Sequence, residues 1–135
     1  MKDISCIRNI KIREMLKKID NKMVDLFKGK LRNIILYGSY ARNENTAESD
    51  INFLVLVNED ENKIREHEDA ITDIMVDLSL EYSIVISIYT QSVSVYESQI
   101  KILPFFMNVQ REGINVHFSD IVLQKEQKRV IGKEI

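Results

Sequence analysis

Apolar residues recur every three or four positions in two long segments of this chain, with charged residues between them. In residues 5–27 they are Ile12, Met15, Leu16, Ile19, Met23, Leu26 and Phe27, and in residues 60–80 they are Ile64, Ile71, Ile74, Met75 and Leu78. This spacing puts them on one face of a helix, so each segment is predicted to be an amphipathic helix. Shorter apolar runs at 32–37, 51–57 and 84–89 predict three buried strands.

The remaining predicted elements are shorter: one helical turn at 39–43, helices at 92–101 and 104–112, and an edge strand at 114–118. Helices that alternate with strands in this order predict an α/β (α+β) fold, in which helices cover a small mixed sheet. The whole chain, residues 1–135, is expected to be a single domain. Its core is expected at about residues 10–118, followed by a charged C-terminal tail at 119–135.

Charge and composition narrow the classes of function. The net charge of −2 provides no bulk attraction to nucleic acid or to an anionic membrane, so direct nucleic-acid binding is not expected and phosphate binding must be local. The single cysteine, Cys6, cannot form a disulfide within the chain. Neither a signal peptide nor an apolar run near the ~18 residues that span a bilayer is present, so the expected location is cytoplasmic.

The candidate chemistry lies in the stretch YGSYARNENTAESDINFLVLV, residues 37–57. A strand that ends in Gly38-Ser39 and turns at once presents backbone N–H groups and a hydroxyl to phosphate oxygens. Asp50 and Asn52 are two residues apart on the next strand, so their side chains face the same way. A carboxylate and an amide oxygen directed at bound phosphates suit a hard cation such as Mg²⁺. This layout indicates metal-assisted nucleotidyl transfer.

The stretch GSYARNENTAESDINFLVLV resembles the signature of the DNA polymerase beta-like nucleotidyltransferase superfamily, Gly-Ser, about ten residues, then Asp-x-Asp, and most closely its minimal, single-domain members. The segments DLSLEYSIVISI and LPFFMNVQREGINV are similar to the later part of those proteins, so the resemblance covers roughly residues 10–117. It implies that fold, Mg²⁺ as cofactor, and transfer of AMP from a nucleoside triphosphate, ATP, to a protein or small-molecule acceptor. Many minimal members are antitoxins encoded beside a small helical HEPN-domain toxin, so the resemblance also implies a HEPN-domain partner.

The site residues that the resemblance implies can be assigned one by one. Gly38 and Ser39 match the turn that holds the triphosphate, and Arg42 matches the arginine three positions after the serine. Asp50 matches the first metal-binding aspartate. Asn52 stands in place of the second, and it keeps an oxygen ligand but contributes no charge.

Two further departures affect the expected activity. Asn43 replaces a common glycine, and asparagine tolerates a left-handed backbone. The third strand has no carboxylate, because its inward position is expected to fall at Ser87 or its neighbours. Each missing carboxylate removes an attraction on the order of 4 kcal/mol at about 4 Å. Two hypotheses follow: a nucleotidyltransferase whose activity is weak or lost, or a catalytically degenerate antitoxin subunit for a HEPN-like toxin.

Other features have alternative interpretations. Asp77 or Glu81, near the end of the 60–80 helix, could lend the missing carboxylate, while the stripe that Asp77 forms with Asp69 and Asp73 is typical of a solvated face. His67 and His117 have no partner at metal-ligand spacing. The run LPFFMNV is interpreted as core, with an exposed contact patch as the alternative.

Overall fold

Five strands form one mixed sheet in the computed structural model, which describes residues 1–117. The strands are β1 (Lys2–Asp3), β2 (Leu31–Tyr37), β3 (Ile51–Val57), β4 (Ile86–Ser92) and β5 (Ile114–Asn115). The helices are α1 (Ile10–Phe27), α2 (Glu61–Arg65), α3 (Glu68–Tyr82), α4 (Val93–Gln99) and α5 (Pro104–Glu112). The strand order is β1-β5-β2-β3-β4, in which β3–β4 and β1–β5 are parallel and the other pairs are antiparallel. The predicted mixed sheet and fold class are confirmed.

Helices α1 and α3 cover one face of the sheet. Asn9 caps α1, because its side chain accepts a hydrogen bond of 3.1 Å from the Ile12 N–H. The apolar face predicted for this helix is buried, and it packs with alternate residues of β3. Those β3 residues are Ile51, Phe53, Val55 and Val57. Burying a side chain of this size stabilises the fold by about 1.5–3 kcal/mol, so this layer is the main core.

Helices α4 and α5 cover part of the opposite face. The second core cluster consists of Ile35, Leu54 and Leu56 from the sheet with Tyr96, Phe106 and Val109 from the two helices. Strand β3 therefore contributes buried residues to both faces, which is why its sequence is an apolar run rather than an alternating one. No helix within residues 1–117 is long and apolar enough to cross a lipid bilayer.

The N-terminal residues differ from the prediction. The first helix begins at Ile10 rather than near residue 5, and Lys2–Asp3 form β1, which pairs outside β5. Strand β5 consequently lies between β1 and β2, so its prediction as an edge strand is wrong. A two-residue strand has too little pattern of its own to be predicted from sequence. Residue 118 and the predicted tail at 119–135 lie outside the described residues.

The predicted 60–80 helix is divided into α2 and α3. Asp60 caps α2, because its side chain accepts a hydrogen bond of 3.0 Å from the Lys63 N–H. His67 lies at the junction, where its ring packs edge-on against Phe27 at 5.1 Å between centroids. The helix α3 ends at Ser83, which has a left-handed backbone with φ of 55°. The third strand consequently begins at residue 86 and not at 84.

The run LPFFMNV is only half core. Phe106 and Val109 are buried, as the core interpretation requires, whereas Phe105 and Met107 are exposed. After this run Gly113 ends α5 as predicted, with an ordinary φ of −67°. A Cβ atom on Gly113 would lie 2.5 Å from the Val109 carbonyl oxygen, so glycine is needed here for close packing.

Candidate functional site

The turn after β2 is the first part of the site. Gly38 has a left-handed backbone with φ of +84°, and its carbonyl oxygen accepts hydrogen bonds from the N–H groups of Ala41 (3.0 Å) and Arg42 (3.2 Å). The predicted helical turn at 39–43 is therefore present as hydrogen-bonded turns and not as a helix. Within residues 1–117 the N–H groups of Ser39 and Tyr40 donate no backbone hydrogen bond. They are available to an anionic ligand.

A row of three side chains crosses the sheet beside this turn. Tyr37 of β2 pairs with Asn52 of β3, and Asn52 pairs with Ser87 of β4. Side chains of directly paired residues project from the same face of a sheet, so the row lies on the face covered by α4 and α5. A Cβ atom on Gly38 would lie 3.0 Å from Asn52 Nδ2. Glycine therefore allows the Asn52 amide to pack directly against the turn.

Asp50 lies at the end of the sheet where this turn begins. It directly precedes β3, its side chain is exposed, and it lies two residues before Asn52. Ser87 pairs with Asn52 from β4, the strand that was predicted to lack the third carboxylate. Within residues 1–117 no group of three or more histidine, cysteine, aspartate or glutamate side chains could hold a metal ion. Asp50 and Asn52 are the two predicted site residues whose side-chain oxygens could hold a divalent cation, and only Asp50 carries a charge.

The two carboxylates proposed as substitutes lie on the wrong face of the sheet. Glu81 forms an ion pair with Lys18 of α1, and Asp77 lines the groove between α1 and α3. Both belong to the layer that packs against Ile51 and Phe53, opposite the Asn52 side chain. The interpretation that either one completes the site is wrong, because the sheet separates them from it.

Arg42 is exposed and shared between two carboxylates. Its Nε donates a hydrogen bond of 3.0 Å to Glu44, and its Nη1 donates one of 3.3 Å to Glu112 at the end of α5. These bonds, the Glu44 bond first, raise the pKa of the Arg42 guanidinium further above its usual range. The Nη2 group makes no hydrogen bond within the described residues. It can face a phosphate while the other two bonds persist.

An aromatic group adjoins the row, and sequence analysis did not assign it to the site. The Phe105 ring packs edge-on against Tyr37 at 5.3 Å and against Tyr89 at 6.3 Å between centroids. Burial, with a smaller contribution from Tyr89, raises the pKa of the Tyr37 phenol. Tyr37 is therefore neutral at pH 7 and can donate a hydrogen bond, but it is not a base. Its position directly before Gly38 was the signal that could have identified it.

The turn after β2 also borders a cavity on its other side. This cavity, of about 630 Å³, is lined by Tyr40, Ala41 and Asn43 of the turn together with Arg8 and Lys11 near the start of α1. Asn43 has a left-handed backbone with φ of 58°, which is the conformation expected for an asparagine in place of glycine. Neither Asp50 nor any residue of the row lines this cavity, so the cavity is separate from the row.

The two histidines are distant from the row. His117 Nδ1 lies 2.6 Å from the Asp20 carboxylate of α1, and His67 packs against Phe27. Both contacts belong to the layer of α1. The predicted site residues that lie at one end of the sheet are thus Gly38, Ser39, Arg42, Asp50 and Asn52.

Strand β2 ends in the Gly38-Ser39 turn, and Asp50 directly precedes the neighbouring strand β3. The family model described as "Nucleotidyltransferase domain" matches residues 16–126. Two proteins of Methanocaldococcus jannaschii, each named "Putative protein adenylyltransferase", are 33% identical to this chain. They align over 98 and 107 residues, which is 73% and 79% of this chain and 90% and 100% of the relatives. The chain belongs to the nucleotidyltransferase domain family.

Solved structures with a similar shape include two toxin–antitoxin complexes. One, described as a toxin-antitoxin with AMP-PNP, is 18% identical over 87% of this chain and 96% of that chain, with a TM-score of 0.48. The other contains a tri-AMPylated Shewanella oneidensis HEPN toxin with an MNT antitoxin. It is 15% identical over 90% of this chain and 97% of that chain, with a TM-score of 0.45.

Proposed function

We propose that this protein binds ATP together with Mg²⁺ at the turn after β2 and transfers AMP slowly to a protein acceptor. The observation that supports this most is the contact between the turn and β3, where the Asn52 amide packs against Gly38. This contact joins the phosphate-binding end of β2 to the residues that can share a cation with the phosphates. A protein acceptor is favoured because both curated relatives are named as protein adenylyltransferases.

Each residue of the site has a distinct role in this proposal. The free N–H groups of the turn and the Ser39 hydroxyl bind the phosphate oxygens, and Arg42 offsets their charge. Asp50 and Asn52 would hold one Mg²⁺, which when bound neutralises the phosphates and orients the reacting phosphorus. The neutral Tyr37 phenol can donate a hydrogen bond to the bound nucleotide.

Transfer is proposed to be slow because the row provides no base. The acceptor oxygen bonds to the α-phosphorus of ATP, the bond from that phosphorus to the bridging oxygen breaks, pyrophosphate leaves, and the acceptor proton passes to water. The side chains of Asn52 and Ser87 are both neutral. A carboxylate would contribute on the order of 4 kcal/mol of attraction for each unit of positive charge on a cation about 4 Å away, and these two side chains carry no such charge. Asp50 remains as the one carboxylate of the proposed site.

Titration calorimetry with MgATP tests nucleotide binding. We expect a Kd in the high micromolar to millimolar range, and loss of binding in Ser39→Ala and in Asp50→Ala. Asp69→Ala is the matched control, because Asp69 is an exposed aspartate on α3, which covers the other face of the sheet. A sub-micromolar Kd for MgATP, or an affinity that neither Ser39→Ala nor Asp50→Ala weakens, would refute the proposed site.

A second function, an antitoxin that acts by binding a HEPN-like toxin, is supported by a specific observation. Both positions that lack a carboxylate, Asn52 and Ser87, are adjacent in the sheet, so the loss affects one part of the site while the phosphate turn is kept. Such a pattern is expected where nucleotide binding persists and transfer is no longer required. The partner would then recognise the surface of the protein rather than receive AMP.

Co-expression with a small HEPN-domain toxin distinguishes the two functions. If protection of the cells requires transfer, Asp50→Ala should abolish it, and label from radioactive ATP should appear on the HEPN-domain protein. If protection requires only binding, Asp50→Ala should protect as well as the unaltered protein and no label should appear. Protection by Asp50→Ala would therefore exclude the hypothesis that this protein neutralises the HEPN-domain toxin by transferring AMP.

A further inference from the structure

Four consecutive residues at the start of α5 form an exposed apolar surface, which we name the apolar tip. It consists of Ile102, Leu103, Pro104 and Phe105. Ile102 is 70% exposed, and Leu103 and Phe105 are 40% and 41% exposed. These residues are consecutive in the chain, and each of the four is exposed. A continuous apolar surface on a water-soluble domain commonly marks a contact with another molecule.

A hollow beside the apolar tip has a different character. It has a volume of about 440 Å³ and is lined by Ile100, Lys101, Met107, Gln110 and Arg111. Neither Lys101 nor Arg111 forms an ion pair with a carboxylate of residues 1–117. An apolar side chain flanked by carboxylates would complement this hollow, because it would fill the space and satisfy both cations.

The apolar tip is continuous with the candidate site. Its last residue, Phe105, packs against Tyr37, and Tyr37 is the direct neighbour of Asn52 in the sheet. A molecule that covers the tip would therefore extend to the side of the row on β3. Other large exposed apolar residues of the helices, such as Ile10 on α1 and Leu80 on α3, lie on helices that pack against the opposite face.

We propose that the apolar tip and the hollow are the docking surface for the acceptor polypeptide. A segment of that polypeptide would place an apolar side chain in the hollow and acidic side chains against Lys101 and Arg111. It would present its hydroxyl residue beside Asn52. The inference rests on the proposed function in one respect, because it takes the acceptor to be a polypeptide.

A library of random peptides displayed on phage provides a probe that does not require the natural acceptor. Selection against the immobilised full chain should enrich peptides that combine large apolar residues with aspartate or glutamate. Synthetic copies of these peptides, titrated by fluorescence anisotropy, should bind Ile102→Glu and Arg111→Glu about tenfold more weakly or worse. Leu80→Glu is the matched control, because Leu80 is 76% exposed on α3, and its affinity should not change. Thermal melting of each variant verifies the fold.

Several results would overturn the inference. These are the absence of any enriched peptide, enrichment of basic peptides, or equal binding by the unaltered chain and Ile102→Glu. Binding to phosphatidylglycerol vesicles that depends on Ile102 would assign the tip to a membrane. Self-association in sedimentation that Ile102→Glu abolishes would assign it to a second copy.

The two proposals fail in different ways in this experiment. Peptide binding is measured with and without MgATP, and nucleotide binding is measured separately by calorimetry. If peptide binding requires Ile102 but the protein does not bind ATP, the proposed function is refuted and the docking surface stands. If the protein binds ATP but enriches no peptide, the docking surface is refuted and the proposed nucleotide binding stands.

Discussion

Replacing Asn52 with aspartate is the most informative single change in this site. The Asn52 side chain is half-buried against Gly38, between Tyr37 and Ser87, and a carboxylate has nearly the same shape as the amide. The substitution therefore changes the charge of the row without changing its packing. The introduced carboxylate would face the same side as Asp50, with about 6.6 Å between the two Cα atoms.

The size of the effect follows from the charges. A unit negative charge about 4 Å from a divalent cation is attracted by about 8 kcal/mol at an effective dielectric of 20. Repulsion from Asp50 at roughly 6.6 Å offsets about 2.5 kcal/mol of this, and repulsion from the phosphates and desolvation offset much of the remainder. We expect a net gain of about 1.4–2.7 kcal/mol, so MgATP should bind about ten- to a hundredfold more tightly.

Calorimetry with MgATP measures this gain directly. The matched control is Asn58→Asp, which adds the same charge at an exposed position just after the other end of β3 and should leave the affinity unchanged. AMP transfer, measured with radioactive ATP, should rise less than affinity because Ser87 still provides no carboxylate. Equal affinity in the unaltered protein and Asn52→Asp, or equal gains in both variants, would refute the charge argument. Strong Asp50-dependent labelling by the unaltered protein would show that the site is already competent.

Three further predictions concern the end of α5, the turn after β2 and the row. Gly113→Ala should lower the free energy of unfolding by about 2–4 kcal/mol in a urea titration, because its Cβ would lie 2.5 Å from a backbone oxygen. Gly29→Ala, where a Cβ meets nothing within 4 Å, is the control and should change stability by less than about 1 kcal/mol. Gly38→Ala should cost about 1–2 kcal/mol through its positive φ and should weaken MgATP binding by displacing Asn52, and normal binding would contradict this. Combining Asn52→Asp with Ser87→Asp should raise labelling from radioactive ATP above either single variant, and a rate equal to that of Asn52→Asp alone would show that the β4 position is not part of the site.

Much of this protein was predictable because the relevant signals are local. The buried face of α1 follows from a helical period that its own residues carry, and β3 is an apolar run because it is covered on both sides. The Gly38-Ser39 turn and the spacing to Asp50 and Asn52 are likewise contained in one short stretch. The strand alternation that predicts a shared face for Asp50 and Asn52 is contained in the same stretch.

The tertiary structure decided everything that depends on which segments meet. The two residues of β1 form a strand by pairing with β5. Because of this pairing, β1 and not β5 lies at the edge of the sheet. Asp77 and Glu81 are near β4 in sequence, but α3 packs on the face opposite Asn52, so neither can complete the site. Strand register places Ser87 beside Asn52, and Phe105 packs against Tyr37, which is far from it in sequence. Contacts of this kind depend on the packing of whole layers, because periodicity shows which side of an element is apolar but not which partner covers it.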